Sequence, residues 1–275
     1  MRDRMVGHKN EKKIAAESIW IWLPPIVFLA LAGIVFLTHS DKSLFFLINQ
    51  ASRLTGDKLW AVLTIYADGL ISFVILLPFI CQKPRLIWAV FIAAVLFTIF
   101  GQGIKHLTSI PRPPVVLSQG SFHLIGPNWG YNSFPSGHAS TIFSLAGVFS
   151  LSVRKNWLRF LLIVLASVIA VSRIVVGVHW PSDVLVGAAF GWGAIWIGLE
   201  VSKITAWAWK GLGRKIMGAV LIIGCLVVLF VDYTGYENIM FFQRVIAVIF
   251  LIGGVHEYAR VYGWKGFFLK NSRKE

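Results

Sequence analysis

Long apolar runs, separated by short polar or basic stretches, fill most of the chain. A helix needs about 20 mostly apolar residues to cross a hydrocarbon core roughly 30 Å thick. Measured against that length, the pattern predicts eight membrane-spanning helices, of which the fourth is short. The expected spans are 19–38, 58–81, 86–105, 138–153, 157–177, 183–202, 216–233 and 240–259.

The segment 106–137 interrupts this pattern between the third and fourth apolar runs. Prolines and glycines are frequent in it, and these residues break helices. A non-helical backbone is not tolerated in lipid, where its polar groups would have no partners. The segment is therefore expected to be an extracytoplasmic loop, and its aromatic residues favour a loop that folds over the helix ends.

Positive charge is concentrated in short clusters between the apolar runs and at both ends of the chain. Cytoplasmic segments of membrane proteins accumulate Lys and Arg, so this distribution predicts that both termini are cytoplasmic. The first run follows basic residues and has no small-x-small cleavage site at its end. This favours a retained signal anchor over a cleaved signal peptide. Because the clusters lie beside the spans, the net charge of +14 predicts contact with anionic lipid headgroups at the cytoplasmic face and no nucleic-acid binding.

The composition agrees with a membrane protein. Hydrophobic residues make up 57% of the chain and charged residues only 14%, which lies outside the usual balance of a soluble domain. Cys81 and Cys225 lie at or inside apolar runs without metal-type spacing, so they are expected to be buried, unpaired thiols. The cysteine spacing thus indicates no metal site, and no cofactor is expected.

Three polar clusters stand out in this apolar chain. Lys105 ends the third expected span and His138 begins the fourth. Arg173 lies near the end of the fifth span and Asp183 begins the sixth, so alternating spans would bring all the clusters to one membrane face. Ionisable groups near a bilayer are costly unless they are used, which favours a functional site. The clusters are Lys105-x6-Arg112-Pro113, Pro135-Ser136-Gly137-His138 and Ser172-Arg173-x5-His179-x3-Asp183.

The residue types in these clusters predict a phosphate site. Lys105, Arg112 and Arg173 supply fixed positive charge, and guanidinium groups suit bidentate contacts to phosphate oxygens. Ser136 and Gly137 precede a helix, so the Ser136 hydroxyl and the first N–H groups could point at an anion over the helix N-terminus. These donors would stabilise the charge that develops in phosphoryl transfer.

The two histidines are expected to supply the nucleophile and the general acid. Asp183 lies four residues after His179, where its carboxylate could accept a hydrogen bond from one imidazole nitrogen and leave the other free to attack phosphorus. His179 is therefore predicted to be the nucleophile and His138 the general acid. Asp68 lies inside the second apolar run, and a role as a supporting partner of a site cation is weighed against a structural hydrogen bond.

In this order the three clusters resemble the signature of the type-2 phosphatidic acid phosphatase superfamily, which also includes the vanadium haloperoxidases. The resemblance is to the membrane lipid-phosphatase branch. It implies a six-helix catalytic core, a phosphohistidine on His179 supported by Asp183, acid–base catalysis by His138, and no requirement for a metal. The combined motif is specific, whereas a lone Pro-Ser-Gly-His would be a weak signal.

This resemblance completes the predicted organisation, which is an all-α, polytopic transmembrane helical bundle. A cytoplasmic N-terminal segment (1–17) is followed by a six-helix catalytic membrane domain (18–202) that contains the loop 106–137. Two additional transmembrane helices (203–259) carry no catalytic signature, so packing or oligomerisation is expected of them. A basic cytoplasmic tail (260–275) ends the chain.

The expected function is hydrolysis of a phosphate monoester or diphosphate of a membrane lipid, at an extracytoplasmic site of a bacterial inner membrane. The resemblance implies phosphatidic acid, phosphatidylglycerophosphate, undecaprenyl diphosphate or lipid A as substrates, and the sequence does not choose among them. Three alternatives stay open at this point: a lipid phosphotransferase that uses the same site, a vanadium haloperoxidase, and a non-catalytic transporter or scaffold. The oligomeric state is also open.

Overall fold

The computed structural model describes residues 2–236 and 239–262. Within these ranges every regular element is a helix, which confirms the predicted all-α class. The predicted tail 260–275 lies mostly outside the described residues. The helices are α1 (Arg2–Leu37), α2 (Asp41–Asn49), α3 (Ala51–Thr55), α4 (Asp57–Ile65), α5 (Gly69–Ile75), α6 (Pro84–Leu96), α7 (Gln102–Thr108), α8 (Pro113–Val116), α9 (Gly137–Ser150), α10 (Asn156–Val175), α11 (Pro181–Ile204), α12 (Ala206–Trp209), α13 (Gly211–Phe230) and α14 (Met240–Tyr262).

Fewer helices have the full length of a span than the eight spans that the sequence predicts. Among the described residues six helices are long and apolar enough to cross a membrane, or seven if a bent pair is counted as one span. The fourth predicted span corresponds to α9, which has only 14 residues and is largely buried among other helices rather than facing lipid. The second corresponds to α4 and a segment, Gly69–Phe79, that bends away from it by 67°.

Asp68 accounts for this bend in the second span. Its backbone is extended, and its carboxylate caps the new helix by accepting hydrogen bonds from the N–H groups of Leu70 (2.9 Å) and Ile71 (3.2 Å). An aspartate satisfies the first unpaired N–H groups of a helix well, so a new helix begins here instead of continuing α4. The bend opens the space beside α4 in which part of the site lies.

Glycines on α11 allow it to pack closely against α9. A Cβ atom added to Gly191 would lie 2.0 Å from the carbonyl oxygen of Ser140, and one added to Gly187 would lie 2.4 Å from that of Ser136. Such distances exclude any side chain at these positions, as at other helix contacts built on small residues in membranes. The N-termini of α9 and α11 are thereby held side by side at one end of the bundle.

The third span reaches the same end of the bundle through an irregular segment. Between α6 and α7 the residues Phe97–Gly101 form a π-helical turn, a feature found frequently at functional sites. Helix α7 ends at Ser109, whose φ of 45° places it in the left-handed region. The segment 109–136 then crosses the helix ends, with α8 as its one regular turn among the described residues.

The two additional helices, α13 and α14, pack against each other and against the α5 region. Their polar residues contact both this pair and the rest of the bundle, since the Gln82 side chain donates a hydrogen bond to the Glu257 carboxylate. The Arg244 Nε donates to the carbonyl of Leu229 at 3.2 Å, while Glu257 pairs with Arg260 at 3.3 Å. The pair therefore covers one side of the bundle, and residues 231–236 of the connection between its helices return to the end where the polar clusters lie.

Candidate active site

His179 and Asp183 face each other between α10 and α11. The His179 Nδ1 lies 3.2 Å from the Asp183 Oδ2, and both side chains are buried, with 2% and 1% of their surface exposed. On the other side of the ring, the Arg112 Nη1 lies 3.2 Å from the His179 Nε2. A guanidinium can only donate, so Nε2 must carry the lone pair and Nδ1 the proton. This is the tautomer that a nucleophilic histidine needs.

Three donors fix the Asp183 carboxylate. The Ser133 hydroxyl donates to its Oδ2 at 2.5 Å and the Trp180 backbone N–H at 2.8 Å, in addition to the His179 ring. Sequence reasoning missed Ser133, because a serine near the end of the proline-rich loop has no motif spacing to its partner 50 residues away. A carboxylate held by several donors is pre-organised to orient the imidazole.

Backbone carbonyls of the loop hold two of the predicted cations. The Lys105 Nζ donates to the carbonyl oxygens of Asn132 (2.7 Å) and Ser133 (3.3 Å). The Arg112 guanidinium donates to the carbonyl oxygens of Tyr131 (3.3 Å) and Val178 (3.2 Å). Because these acceptors are neutral, they position the cations without cancelling their charge, which remains available for an anion.

Arg173 is held in a similar way on α10. Its Nη1 donates to the Thr64 hydroxyl at 2.8 Å and to the Tyr236 hydroxyl at 3.0 Å, and the side chain is 2% exposed. The buried Nε has no hydrogen-bond partner among the described residues. Buried donors are normally paired, so an unpaired guanidinium donor beside a cavity indicates where an anion would bind.

Ser136 and Gly137 begin α9 next to Asp183. The Ser136 hydroxyl accepts from the Ala139 N–H at 3.4 Å and so caps the helix, while the Ser136 N–H donates to the Asp183 carbonyl oxygen at 2.9 Å. The first-turn N–H groups of Gly137 and His138 have no acceptor within the helix, as at any helix N-terminus. These N–H groups form the positive end of the α9 dipole and suit a phosphate oxygen.

His138 and Arg173 line a common cavity of about 240 Å³. Asp68 also lines it, but its hydrogen bonds go to the start of α5 and to the Tyr233 hydroxyl (2.8 Å), not to one of the three site cations. The predicted alternative of a structural hydrogen bond therefore describes its contacts. The remaining lining residues are Thr64, Ile65, Trp129, Tyr233, Thr234 and Tyr236.

The charges around His179 keep it neutral. Burial, followed by the positive charges of Arg112 and Arg173, lowers the pKa of His179 well below its ordinary value of 6.5. A neutral imidazole retains its lone pair, so the environment supports nucleophilic attack near neutral pH. His138 is close enough to contribute to the same effect. The described residues contain no group of three His, Cys, Asp or Glu side chains that could hold a metal ion.

The connection between α13 and α14 supplies part of the cavity wall. Tyr233, Thr234 and Tyr236 all come from it, although packing or oligomerisation alone was expected of the additional helices. Tyr236 lies 63 residues from Arg173 along the chain, so no local spacing could predict their contact. The only signal was a short polar stretch between two apolar runs.

The fold and the site define a class: an integral, multi-pass membrane protein with a cation-lined phosphate site beside a His–Asp pair. The PAP2 superfamily model matches residues 85–207, a range that contains Lys105, Asp183 and the clusters between them. YbjG of Escherichia coli (strain K12), which carries the provisional name undecaprenyl-diphosphatase, is 34% identical over 196 residues, covering 66% of this chain and 88% of that protein. The chain belongs to the PAP2 superfamily.

Two further comparisons agree with this assignment. The undecaprenyl-diphosphatase of Sulfolobus acidocaldarius is 29% identical over 183 residues, covering 64% of this chain and 87% of that protein. The crystal structure of LpxE from Aquifex aeolicus has a TM-score of 0.53 and 29% identity, covering 58% of this chain and 94% of that one. The predictions of the family, of a phosphatase and of a membrane lipid substrate are confirmed, whereas α13 and α14 lie outside the matched range 85–207.

Proposed function

We propose that this membrane lipid phosphatase removes the terminal phosphate of a polyprenyl diphosphate such as undecaprenyl diphosphate, through a phosphohistidine on His179. The observation that carries the mechanism is the arrangement of the His179 ring, whose Nδ1–H is held by Asp183 and whose Nε2 lone pair faces Arg112. The choice of substrate is supported by the names of two relatives, of which this chain covers 88% and 87%.

In the first step the His179 Nε2 attacks the terminal phosphorus. The new N–P bond forms as the bond from phosphorus to the bridging oxygen breaks, and the electron pair leaves with that oxygen. Burial and the three site cations lower the pKa of His138, so its proton would arrive with the substrate, whose negative charge offsets that of the cations. His138 would then protonate the departing oxygen, which gives the lipid monophosphate. Asp183 stabilises the positive charge that His179 acquires, because its carboxylate already accepts the Nδ1–H.

In the second step water replaces the histidine on phosphorus. His138, now without its proton, would take one from the attacking water as the P–O bond forms and the N–P bond breaks. Inorganic phosphate leaves, and both histidines return to their starting protonation states. The same residue acts as acid and then as base, as in other two-step displacements.

The cations would bind the transferring phosphoryl group in both steps. Lys105, Arg112 and Arg173 are already positioned by neutral acceptors, so little reorganisation is needed when charge spreads over the phosphoryl oxygens. A bound phosphate would take over the Arg112 donor that now contacts the His179 Nε2 and so free the lone pair. Ser136 and the N–H groups of Gly137 and His138 complete the proposed cradle.

The proposed location is a bacterial inner membrane, with both termini cytoplasmic and the site at the outer face. The basic clusters between the spans support this orientation, because such clusters are retained on the cytoplasmic side and meet anionic headgroups there. A lipid whose diphosphate is exposed at the outer face could then enter the site while its tail stays in the bilayer.

The test is phosphate release from undecaprenyl diphosphate by the detergent-solubilised protein with EDTA present, beside phosphatidic acid, phosphatidylglycerophosphate and lipid A. His179→Ala should lower the rate by at least about 10³-fold, the scale for a lost nucleophile. His106→Ala, an exposed histidine beside the site, is the matched control. A folded His179→Ala protein that still releases phosphate would overturn the mechanism.

Two outcomes of the same assay would change the proposed function. Faster release from another member of the panel would replace the substrate and leave the mechanism intact. Transfer of the phosphate to a second lipid, with no free phosphate, would favour the phosphotransferase. Trapping an acid-labile phosphoenzyme that is absent from His179→Ala would identify the intermediate directly.

A further inference from the structure

Outside the range of the family match, the connection between α13 and α14 brings a tyrosine into contact with a site cation. Tyr236 lies in the connection between α13 and α14, is 6% exposed, and accepts a hydrogen bond from the Arg173 Nη1 at 3.0 Å. We propose that Tyr236 is a positioning residue that fixes the Arg173 guanidinium for phosphate binding. The inference rests on the proposed phosphatase site and extends it beyond the six-helix core.

The contact with Tyr236 positions the Arg173 guanidinium without neutralising its charge. The Arg173 Nη1 is shared between two hydroxyl oxygens, those of Tyr236 and Thr64, and neither carries a charge. A carboxylate at this place would pair with the guanidinium and compete with phosphate. Neutral anchors fix one end of the planar fork, and the unpaired Nε stays available on its edge.

The Tyr236 ring is itself held from several sides. A Cβ atom on Gly126 would lie 2.4 Å from the Tyr236 Cε1, so the loop 109–136 presses against the ring at a position where only glycine fits, with φ of 81°. Tyr236 lines both the cavity that contains His138 and a second cavity of about 570 Å³. Because packing fixes the ring, Tyr236→Phe should remove the hydroxyl and leave the shape unchanged.

The probe for this contact is orthovanadate, a phosphate analogue whose binding can be followed as a thermal shift without any lipid substrate. Tyr236→Phe should weaken vanadate binding about tenfold, because a guanidinium held by one anchor instead of two samples more orientations. In the lipid assay the same variant should lower kcat more than it raises KM, since the cation matters most for the charge of the transition state. Tyr66→Phe is the matched control, because the hydrogen bonds of Arg173 go to the hydroxyls of Thr64 and Tyr236 and not to that of Tyr66.

A double-mutant cycle tests whether Tyr236 acts through Arg173. In an Arg173→Lys background the second change, Tyr236→Phe, should weaken vanadate binding by less than about twofold, because the guanidinium that Tyr236 positions is gone. A full tenfold effect in that background would overturn the proposal. So would a folded Tyr236→Phe protein that binds vanadate as the wild type does.

These outcomes separate the inference from the proposed function. If the wild type hydrolysed no lipid of the panel, but bound vanadate in a way that Tyr236→Phe weakened, the function would fail and the positioning role would stand. If hydrolysis proceeded normally and Tyr236→Phe changed neither vanadate affinity nor kcat, the function would stand and the positioning role would fail.

Discussion

The bundle through α11 and the additional pair α13–α14 contribute to the site in different ways. The first region carries every predicted ionisable group of the site, from Lys105 to Asp183. The second carries neutral hydroxyls, of which Tyr236 contacts a site cation and Tyr233 contacts Asp68. Charged groups define what the site binds, whereas neutral groups from a distant segment can hold those charges in place without altering them.

Burial distinguishes the additional pair from α11, which carries Asp183, although the span in α1 is only 17% buried. Half of the apolar window of α11 is buried inside the protein, against 28% for α13 and 22% for α14. Most of the surface of the added helices therefore faces outward, and their helical segments can vary with little effect on the site. Their connection, in contrast, reaches the cavity. The core motifs and this connection are therefore the two parts of the chain that meet at the site.

The largest effect is expected for Asp183→Asn. An amide would offer its own N–H where the carboxylate now accepts from His179, so the imidazole would lose its preferred tautomer. We expect phosphate release to fall about 10³-fold, which corresponds to about 4 kcal/mol. Asp232→Asn, an exposed carboxylate in the connection, is the matched control and should retain activity. Equal losses in both variants would contradict the proposed role of the His–Asp pair.

A smaller effect is expected for Gly191→Ala, which changes no site residue. The added Cβ would lie 2.0 Å from the Ser140 carbonyl oxygen and would push α9 away from α11. Overpacking of this kind costs about 1–3 kcal/mol, which a thermal unfolding midpoint would report, and activity should fall with it. Gly193→Ala is the control, since nothing lies within 4 Å of its Cβ position. A wild-type midpoint for Gly191→Ala would show that the contact is not tight.

The fold was predictable where local pattern decides it. Apolar length placed most spans within a few residues, because a helix in lipid satisfies its own backbone. It failed at Asp68, where one capping carboxylate breaks a continuous apolar run, and at α9, where burial by protein replaces burial by lipid. Hydropathy records how apolar a run is, and it does not record what surrounds that run.

The candidate site was also predictable only in part, namely for the residues of the three motifs. Motif spacing and alternating spans predicted that these clusters meet, and in the structure the Arg112 guanidinium contacts the His179 ring while Lys105 binds the backbone of Ser133. Their roles in catalysis stay predictions. Ser133 and Tyr236 were missed because each meets its partner only through the folded path of a long connection. A serine or tyrosine without periodic neighbours has no sequence signal that separates it from an ordinary loop residue.

The buried His179 should make stability depend on pH. Its pKa is lowered in the folded protein, so below about pH 6.5 the unfolded chain takes up a proton that the folded protein does not. This contribution to stability is present above pH 6.5 and is lost as the pH falls. The loss should appear between about pH 7.5 and 5.5 as a fall of the unfolding midpoint with falling pH. His179→Gln should reduce this pH dependence, as measured by unfolding midpoints, and an unchanged dependence would contradict the neutral state of His179.

The smallest effect is expected for Tyr233→Phe, in the same connection as Tyr236. Burial and the neighbouring Asp68 carboxylate raise the pKa of the Tyr233 hydroxyl, so the hydroxyl keeps its proton and donates to Asp68. Asp68 would still cap α5 without it, and neither residue contacts a site cation among the described residues. Removing this hydrogen bond should cost about 1 kcal/mol of stability.

Phosphate release by Tyr233→Phe should change by less than about threefold, whereas Tyr236→Phe should lower it about tenfold. If Tyr233→Phe lowered phosphate release as much as Tyr236→Phe, closure of the cavity by the whole connection would explain both effects better than a specific anchor for Arg173.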